Sequence, residues 1–253
     1  VRSPAAIAFV LLAIFLSNGT ARAARAQQDE NWHQCTDADV NARVGGCTAI
    51  IEAGDENETN LATAFFDRGI AYRQGGQYDL AIADYDQAIR LSPNDAEAFN
   101  NRGIVLDGER QYDRAIRDYN EAIRLKPDYA EAFYNRGDAY RHDSQFDRAI
   151  QDYDAAIRLR PGFVEAFNNR GIAYYGERKF DSAVRDYSQA LQLKPDLAEA
   201  LNNRCLAYLK LVQYDRALKD YNQAVLLNKN YGNALVNREL GASEAPLRPH
   251  AEP

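Results

Sequence analysis

Residues 96–129 read AEAFNNRGIVLDGERQYDRAIRDYNEAIRLKPDY, and residues 130–163 read AEAFYNRGDAYRHDSQFDRAIQDYDAAIRLRPGF. The second stretch is the first moved on by 34 positions, with Gly103 matched by Gly137, Ala115 by Ala149, Tyr119 by Tyr153 and Pro127 by Pro161. The register extends both ways, to Gly69 and Gly171, to Tyr85, Tyr187 and Tyr221, and to Pro93 and Pro195. A fixed period of this kind marks an array in which every unit is one supersecondary element. Within the unit, Ala96, Phe99, Gly103 and Leu106 fall on one helical face, and Ala115, Tyr119, Ala122 and Ile123 on another. Gly108 and Gln111 mark a short connection between the two helices. Pro127 ends the second, because proline lacks an N–H and clashes with the preceding turn. Small residues at Gly103 and Ala115 let the helices approach, and Phe99 and Tyr119 fill the space beside them. One hairpin cannot bury its own apolar face, so neighbours must stack.

The 34-residue period with G-x-x-Y, A-x-x-x-Y and a closing Pro resembles the tetratricopeptide repeat family. The resemblance implies an all-α fold, a solenoid of antiparallel helix pairs forming a right-handed superhelix. Five repeats are expected, at 62–95, 96–129, 130–163, 164–197 and 198–231. Departures are small: Leu106 replaces a Tyr, Cys205 a Gly and Lys229 the closing Pro. At the C-terminal end, 232–240 is expected to be a capping helix, with Asn237-Arg238 in register with Asn203-Arg204, and 241–253 a disordered tail. At the N-terminal end, 27–61 is expected to be a capping segment. Residues 39–52 read there as a degenerate second helix, followed by an inserted polar stretch from Gly54 to Asn60.

The first 26 residues have a different character. Arg2, an apolar run from Ala5 to Leu16 and the closing Ala24-Arg25-Ala26 read as a secretory signal with cleavage after Ala26. Ala21-Arg22-Ala23 is a second possible site. The apolar run is too short to span a bilayer, which takes about 20 residues. The expected location is therefore periplasmic or secreted. Cleavage would remove three Arg and no acid, taking the formal net charge from −7 to −10. Such a balance argues against a broad grip on nucleic acid, which needs clustered Lys and Arg.

Export permits a disulfide, and one is expected between Cys35 and Cys47. An unbroken helix would hold residues twelve apart about 18 Å from each other, beyond bridging distance. Cys35 is therefore expected in a non-helical segment that folds back along the helix carrying Cys47. Cys205, at a close-packing position, reads as a small buried hydrophobe.

No catalytic, metal or cofactor signature stands out. The sequence has no phosphate-binding Gly-rich loop, no H-E-x-x-H and no C-x-x-C, and its three His (His33, His142 and His250) are scattered. The chain is expected to be no enzyme and to need no cofactor or metal. Two polar columns carry more information. Arg68, Arg102, Arg136, Arg170 and Arg204 recur at the seventh position of the repeats, and Asp84, Asp118, Asp152, Asp186 and Asp220 at the twenty-third. Guanidinium groups flanking a core need carboxylate partners, so an Arg–Asp ladder is expected.

Asn101, Asn135, Asn169, Asn203 and Asn237 recur at the sixth position, with Asp67 in the first repeat. In the family this position faces the concave groove, and an amide both donates and accepts. The row resembles the asparagine ladder of O-GlcNAc-transferring members and is expected to bind the backbone of an extended peptide. Glu97, Glu131, Glu165 and Glu199 at the second position would favour a neutral-to-basic one. The family's carboxylate clamp, which needs groove lysines, is not matched. The expected function is an exported scaffold that binds a protein or peptide partner, with no nucleic acid and no stable membrane span. The alternative is a substrate-presenting or regulatory subunit of an enzyme complex.

Overall fold

The computed structural model describes residues 24–228, and all regular structure there is helical. Helix α1 covers residues 24–35. It is followed by α2 (Val40–Ala53), α3 (Glu58–Gln74), α4 (Tyr78–Leu91), α5 (Ala96–Gly108) and α6 (Tyr112–Leu125). Then come α7 (Ala130–His142), α8 (Phe146–Leu159), α9 (Val164–Gly176), α10 (Phe180–Leu193), α11 (Ala198–Lys210) and α12 (Tyr214–Leu227). The start of the expected signal, the expected cap at 232–240 with Asn237, and the expected tail lie outside the described residues. The chain divides into two compact units, α1–α5 up to Glu109 and α6–α12 from Arg110. In each, helices that follow one another in the chain pack side by side.

The hairpins form as the sequence dictates. Proline stands two residues after the second helices, at Pro93, Pro127, Pro161 and Pro195. Where first helix meets second, one residue takes the left-handed conformation: Gly76 (φ 71°) in the first repeat, then Arg110 (59°), Ser144 (59°), Arg178 (62°) and Val212 (60°). Repeat glycines sit against tyrosine rings. A Cβ on Gly69 would lie 2.8 Å from the ring of Tyr85, one on Gly137 2.9 Å from Tyr153, and one on Gly171 2.6 Å from Tyr187. Those rings are sealed from solvent. In the fifth repeat Cys205 takes the glycine's place, and Tyr221 is only partly buried.

The N-terminal segment departs from expectation. Cys35 is the last residue of α1, so it is helical, and the chain reverses over residues 36–39 into α2. The helices run antiparallel, with Cys35 and Cys47 bonded and their Cα atoms 4.5 Å apart. The break that spacing demanded is thus a short turn between two helices. Gly46 makes it possible, since a Cβ there would lie 2.5 Å from both the Asn31 carbonyl oxygen and the Cys35 nitrogen. The expected second helix at 39–52 is α2, and α1 supplies it with a partner. The inserted polar stretch is shorter than expected, because α3 already begins at Glu58 with the Asn57 side chain accepting from the Asn60 N–H. Glu56 binds α1 to this corner, accepting from Gln28 at 2.7 Å and Trp32 at 2.8 Å. Its bonds to Asn60 and Trp32 hold its carboxyl below the usual range.

Candidate interaction face

The Arg and Asp columns meet inside the first, third, fourth and fifth hairpins. Arg68 grips Asp84 with Nε and Nη2 at 2.7 and 2.8 Å, and Arg136 grips Asp152 at 2.7 and 2.6 Å. Arg170 grips Asp186 at 2.7 Å twice, and Arg204 grips Asp220 at 2.6 and 2.8 Å. These carboxylates are buried. The third nitrogen of each fork reaches back to the preceding second helix. Arg68 donates to Thr48 at 3.0 Å, Arg102 to Asp86 at 2.5 Å, Arg136 to Asn120 at 2.5 Å, Arg170 to Asp154 at 2.5 Å and Arg204 to Ser188 at 3.0 Å. Phe65, Phe99, Phe133 and Phe167, one turn earlier, each lie under a guanidinium. Every arginine therefore joins consecutive hairpins from a first helix. Burial pushes the Asp186 carboxyl up while Arg170 opposes it, and the acids around Arg170 hold that guanidinium charged. This is a structural ladder, and its back contact was legible as the polar column Asp86, Asn120, Asp154 and Ser188.

In the second unit the asparagine row lies on a face that α7, α9 and α11 share, as the bonds between these helices show. Asn169 donates to the Tyr134 hydroxyl at 2.9 Å and to Asp138 at 2.8 Å, both on α7. Asn203 donates to the Asn168 oxygen at 3.3 Å, and Asn168 donates to Asn169 at 3.3 Å and to Glu199 at 3.1 Å. Asn101 donates to the Glu97 carbonyl at 2.9 Å. Asn135 is half-buried on α7. The row is thus not uniform: both amide hydrogens of Asn169 are committed within the protein, whereas Asn101 and Asn203 commit one each.

Two features of this face escaped the sequence reading. Asn100, Asn168 and Asn202 at the fifth position are the buried amides, and the Asn202 oxygen has no hydrogen-bond partner. Asp138 is the other. It stands alone in a column of Ile70, Ile104, Ile172 and Leu206, and it accepts from Tyr153 at 2.6 Å as well as from Asn169. Burial and that carboxylate push the phenols of Tyr134 and Tyr153 far above their ordinary range. An acid interrupting an apolar column was the available signal. Among the described residues no cluster of His, Cys, Asp and Glu is arranged to hold a metal ion, and no helix is long and apolar enough to cross a membrane. His142 is the last residue of α7 and lies beside Tyr112.

Helix pairs that recur every 34 residues, stapled pair to pair and presenting polar first-helix faces, define an α-helical repeat array. Models of the repeat match three successive regions: one described as TPR repeat over residues 61–106, and tetratricopeptide repeat models over 103–162 and over 164–197 and 198–231. The chain belongs to the tetratricopeptide repeat family. A comparison with curated proteins finds no match. Among solved structures, the MamA protein is 26% identical with a TM-score of 0.60, over 68% of this chain and 96% of that one. MamA 41-end from Desulfovibrio magneticus RS-1 is 18% identical with a TM-score of 0.63, over 70% of this chain and 99% of that one. YrrB, described as a TPR protein with an unusual peptide-binding site, is 21% identical with a TM-score of 0.62, over 79% of this chain and 99% of that one. At these last two identities the likeness is one of fold.

Proposed function

We propose that this protein is an exported scaffold that holds an extended, neutral-to-basic segment of another polypeptide against its first-helix face. The observation that carries the reading is the asparagine row, at Asn135, Asn169 and Asn203 on α7, α9 and α11, with Asn101 and Asn237 in the same register in sequence. Asn101 and Asn203 keep an amide hydrogen and an oxygen for a ligand, while cross-repeat bonds hold Asn169 and Asn203 in a fixed orientation. Preorganisation of this kind lowers the entropic cost of binding. Glu165 and Glu199 stand exposed one turn earlier on the same helices and repel acidic ligands. Export is supported by the Cys35–Cys47 bond, which fits an oxidising compartment. The peptide-binding site described for YrrB lends the fold a precedent.

The test begins with affinity capture from the native envelope and continues with calorimetry on the captured segment. Changing Asn101, Asn135 and Asn203 together to Ala should weaken binding by about tenfold or more, as loss of two or three net hydrogen bonds requires. Circular dichroism must show that the variant is folded. Unchanged affinity in a folded variant places binding elsewhere and leaves the row a structural role alone.

A further inference from the structure

The twelfth residue of the repeat and the tyrosine of the second helix stand together in the first and third hairpins. In the third repeat, Arg141 Nε donates to the Tyr153 hydroxyl at 3.3 Å. Both side chains also donate to Asp138, Tyr153 at 2.6 Å and Arg141 Nη2 at 3.4 Å. The two donors and the carboxylate form a complete set. The first repeat has the same donors in the same register, Arg73 and Tyr85, but Ile70 stands where the third repeat has Asp138. There, Arg73 lies beside the Tyr85 phenol and opposes the upward push of burial on it, but Arg73 Nε and the Tyr85 hydroxyl, both buried, make no hydrogen bond of ordinary geometry. Tyr85 is 0% exposed. Native structures seldom leave buried donors orphaned, and each instance calls for a cause. What this pair lacks, and what the third repeat supplies from within, is an anionic oxygen.

We propose that the first repeat takes up a carboxylate, that of an acidic side chain in a bound polypeptide, with Arg73 and Tyr85 donating to it as Arg141 and Tyr153 donate to Asp138. The inference rests on the first-helix face being the binding face and assigns that face one anionic subsite. Local charge agrees. The second position is Thr63 here, where every later repeat carries Glu. Asp84 beneath is neutralised by Arg68. Asp67, which also acts on the phenol, is half-buried, and burial pushes its carboxyl up. Arginine offers a planar fork that suits a carboxylate. Ile70 is only partly buried where it packs on the cluster of Ala81, Tyr85 and Val105, so the donors lie behind a side chain that solvent reaches.

The test uses the full chain labelled with nitrogen-15 and follows the Arg73 Nε–Hε resonance, identified by its loss in Arg73→Lys. The probe is N-acetyl-glutamate α-amide, and the control is N-acetyl-glutamine amide, which has the same shape without the charge. A saturable shift with the glutamate compound, and a response at least about tenfold weaker with the glutamine compound, is the expected result. Tyr85→Phe should weaken the glutamate response several-fold. Ile70→Asp, which builds in the third-repeat arrangement, should move the resonance to its saturated position and abolish the response. No shift in the folded wild-type protein, or equal shifts with both compounds, overturns the proposal. Since no partner polypeptide enters this titration, its failure is distinguishable from failure of the asparagine-row test.

Discussion

Removing one arginine of the ladder tests whether these pairs carry the stacking. Arg136 makes a two-pronged contact with Asp152, a third bond to Asn120 at 2.5 Å, and lies 5.5 Å from the centre of the Phe133 ring. Its side chain is 18% exposed and that of Asp152 8%. Arg136→Ala strands a buried carboxylate, and breaking a buried pair in this way costs about 3–5 kcal/mol. The comparison is Glu121→Ala, which removes a pair to Arg124 whose side chains are 63% and 36% exposed. An exposed pair of that kind contributes little to stability. In an array of this size each kcal/mol moves the melting temperature by about 2–4 °C, so Arg136→Ala should lower it by roughly 10 °C and Glu121→Ala by little. Thermal melts followed by circular dichroism at neutral pH measure both. The double change of Arg136 and Asp152 to Ala should lose less than the two single losses together, because no unpaired charge is then left inside. If Arg136→Ala and Glu121→Ala melt alike, the ladder is solvated and its joining of hairpins contributes nothing.

Gly171→Ala pushes a methyl group into the Tyr187 ring, so overpacking of about 1–3 kcal/mol should outweigh the gain in helix propensity of about 1 kcal/mol. Gly108→Ala, where a Cβ meets nothing within 4 Å, should instead stabilise; urea melts of the two should move in opposite directions. Val212 is β-branched, 65% exposed and held at φ 60°, so Val212→Gly should relieve left-handed strain of about 1–2 kcal/mol. Part of that gain is offset by the greater unfolded-state entropy of glycine, and a rise of a few degrees in the melt is expected. Thiol counting on the denatured, unreduced protein should find Cys205 alone reactive, and loss of the Cys35–Cys47 bond should cost about 3 kcal/mol on the loop-entropy model. Three reactive thiols would refute the bond.

The sequence by itself determined the repeat, because a spacing of 34 residues repeats the same packing problem in every unit. Small residues opposite Tyr fix how closely the two helices of a pair meet, and Pro fixes where the second one stops. The same columns announced the Arg–Asp pairs, since a guanidinium recurring beside a core must find a carboxylate. The cysteine spacing required a chain reversal between Cys35 and Cys47, but the helical state of Cys35 was decided by a contact that spacing does not encode. Gly46 lets α1 lie directly on α2, and the packing of Trp32 and the bonds to Glu56 select helix in a segment with no repeat signature. The interaction face divides in the same way. Its row of amides is a register property, readable from one helix. Which amides are committed depends on side chains 31 to 35 positions away, as Asn169 bonded to Tyr134 and Asp138 shows. The first repeat's orphaned donors likewise follow from one apolar residue, Ile70, standing where the third repeat has an acid. Hydrogen bonds between hairpins join residues whose types are independent in sequence, so only the folded stack decides which donors are satisfied from within.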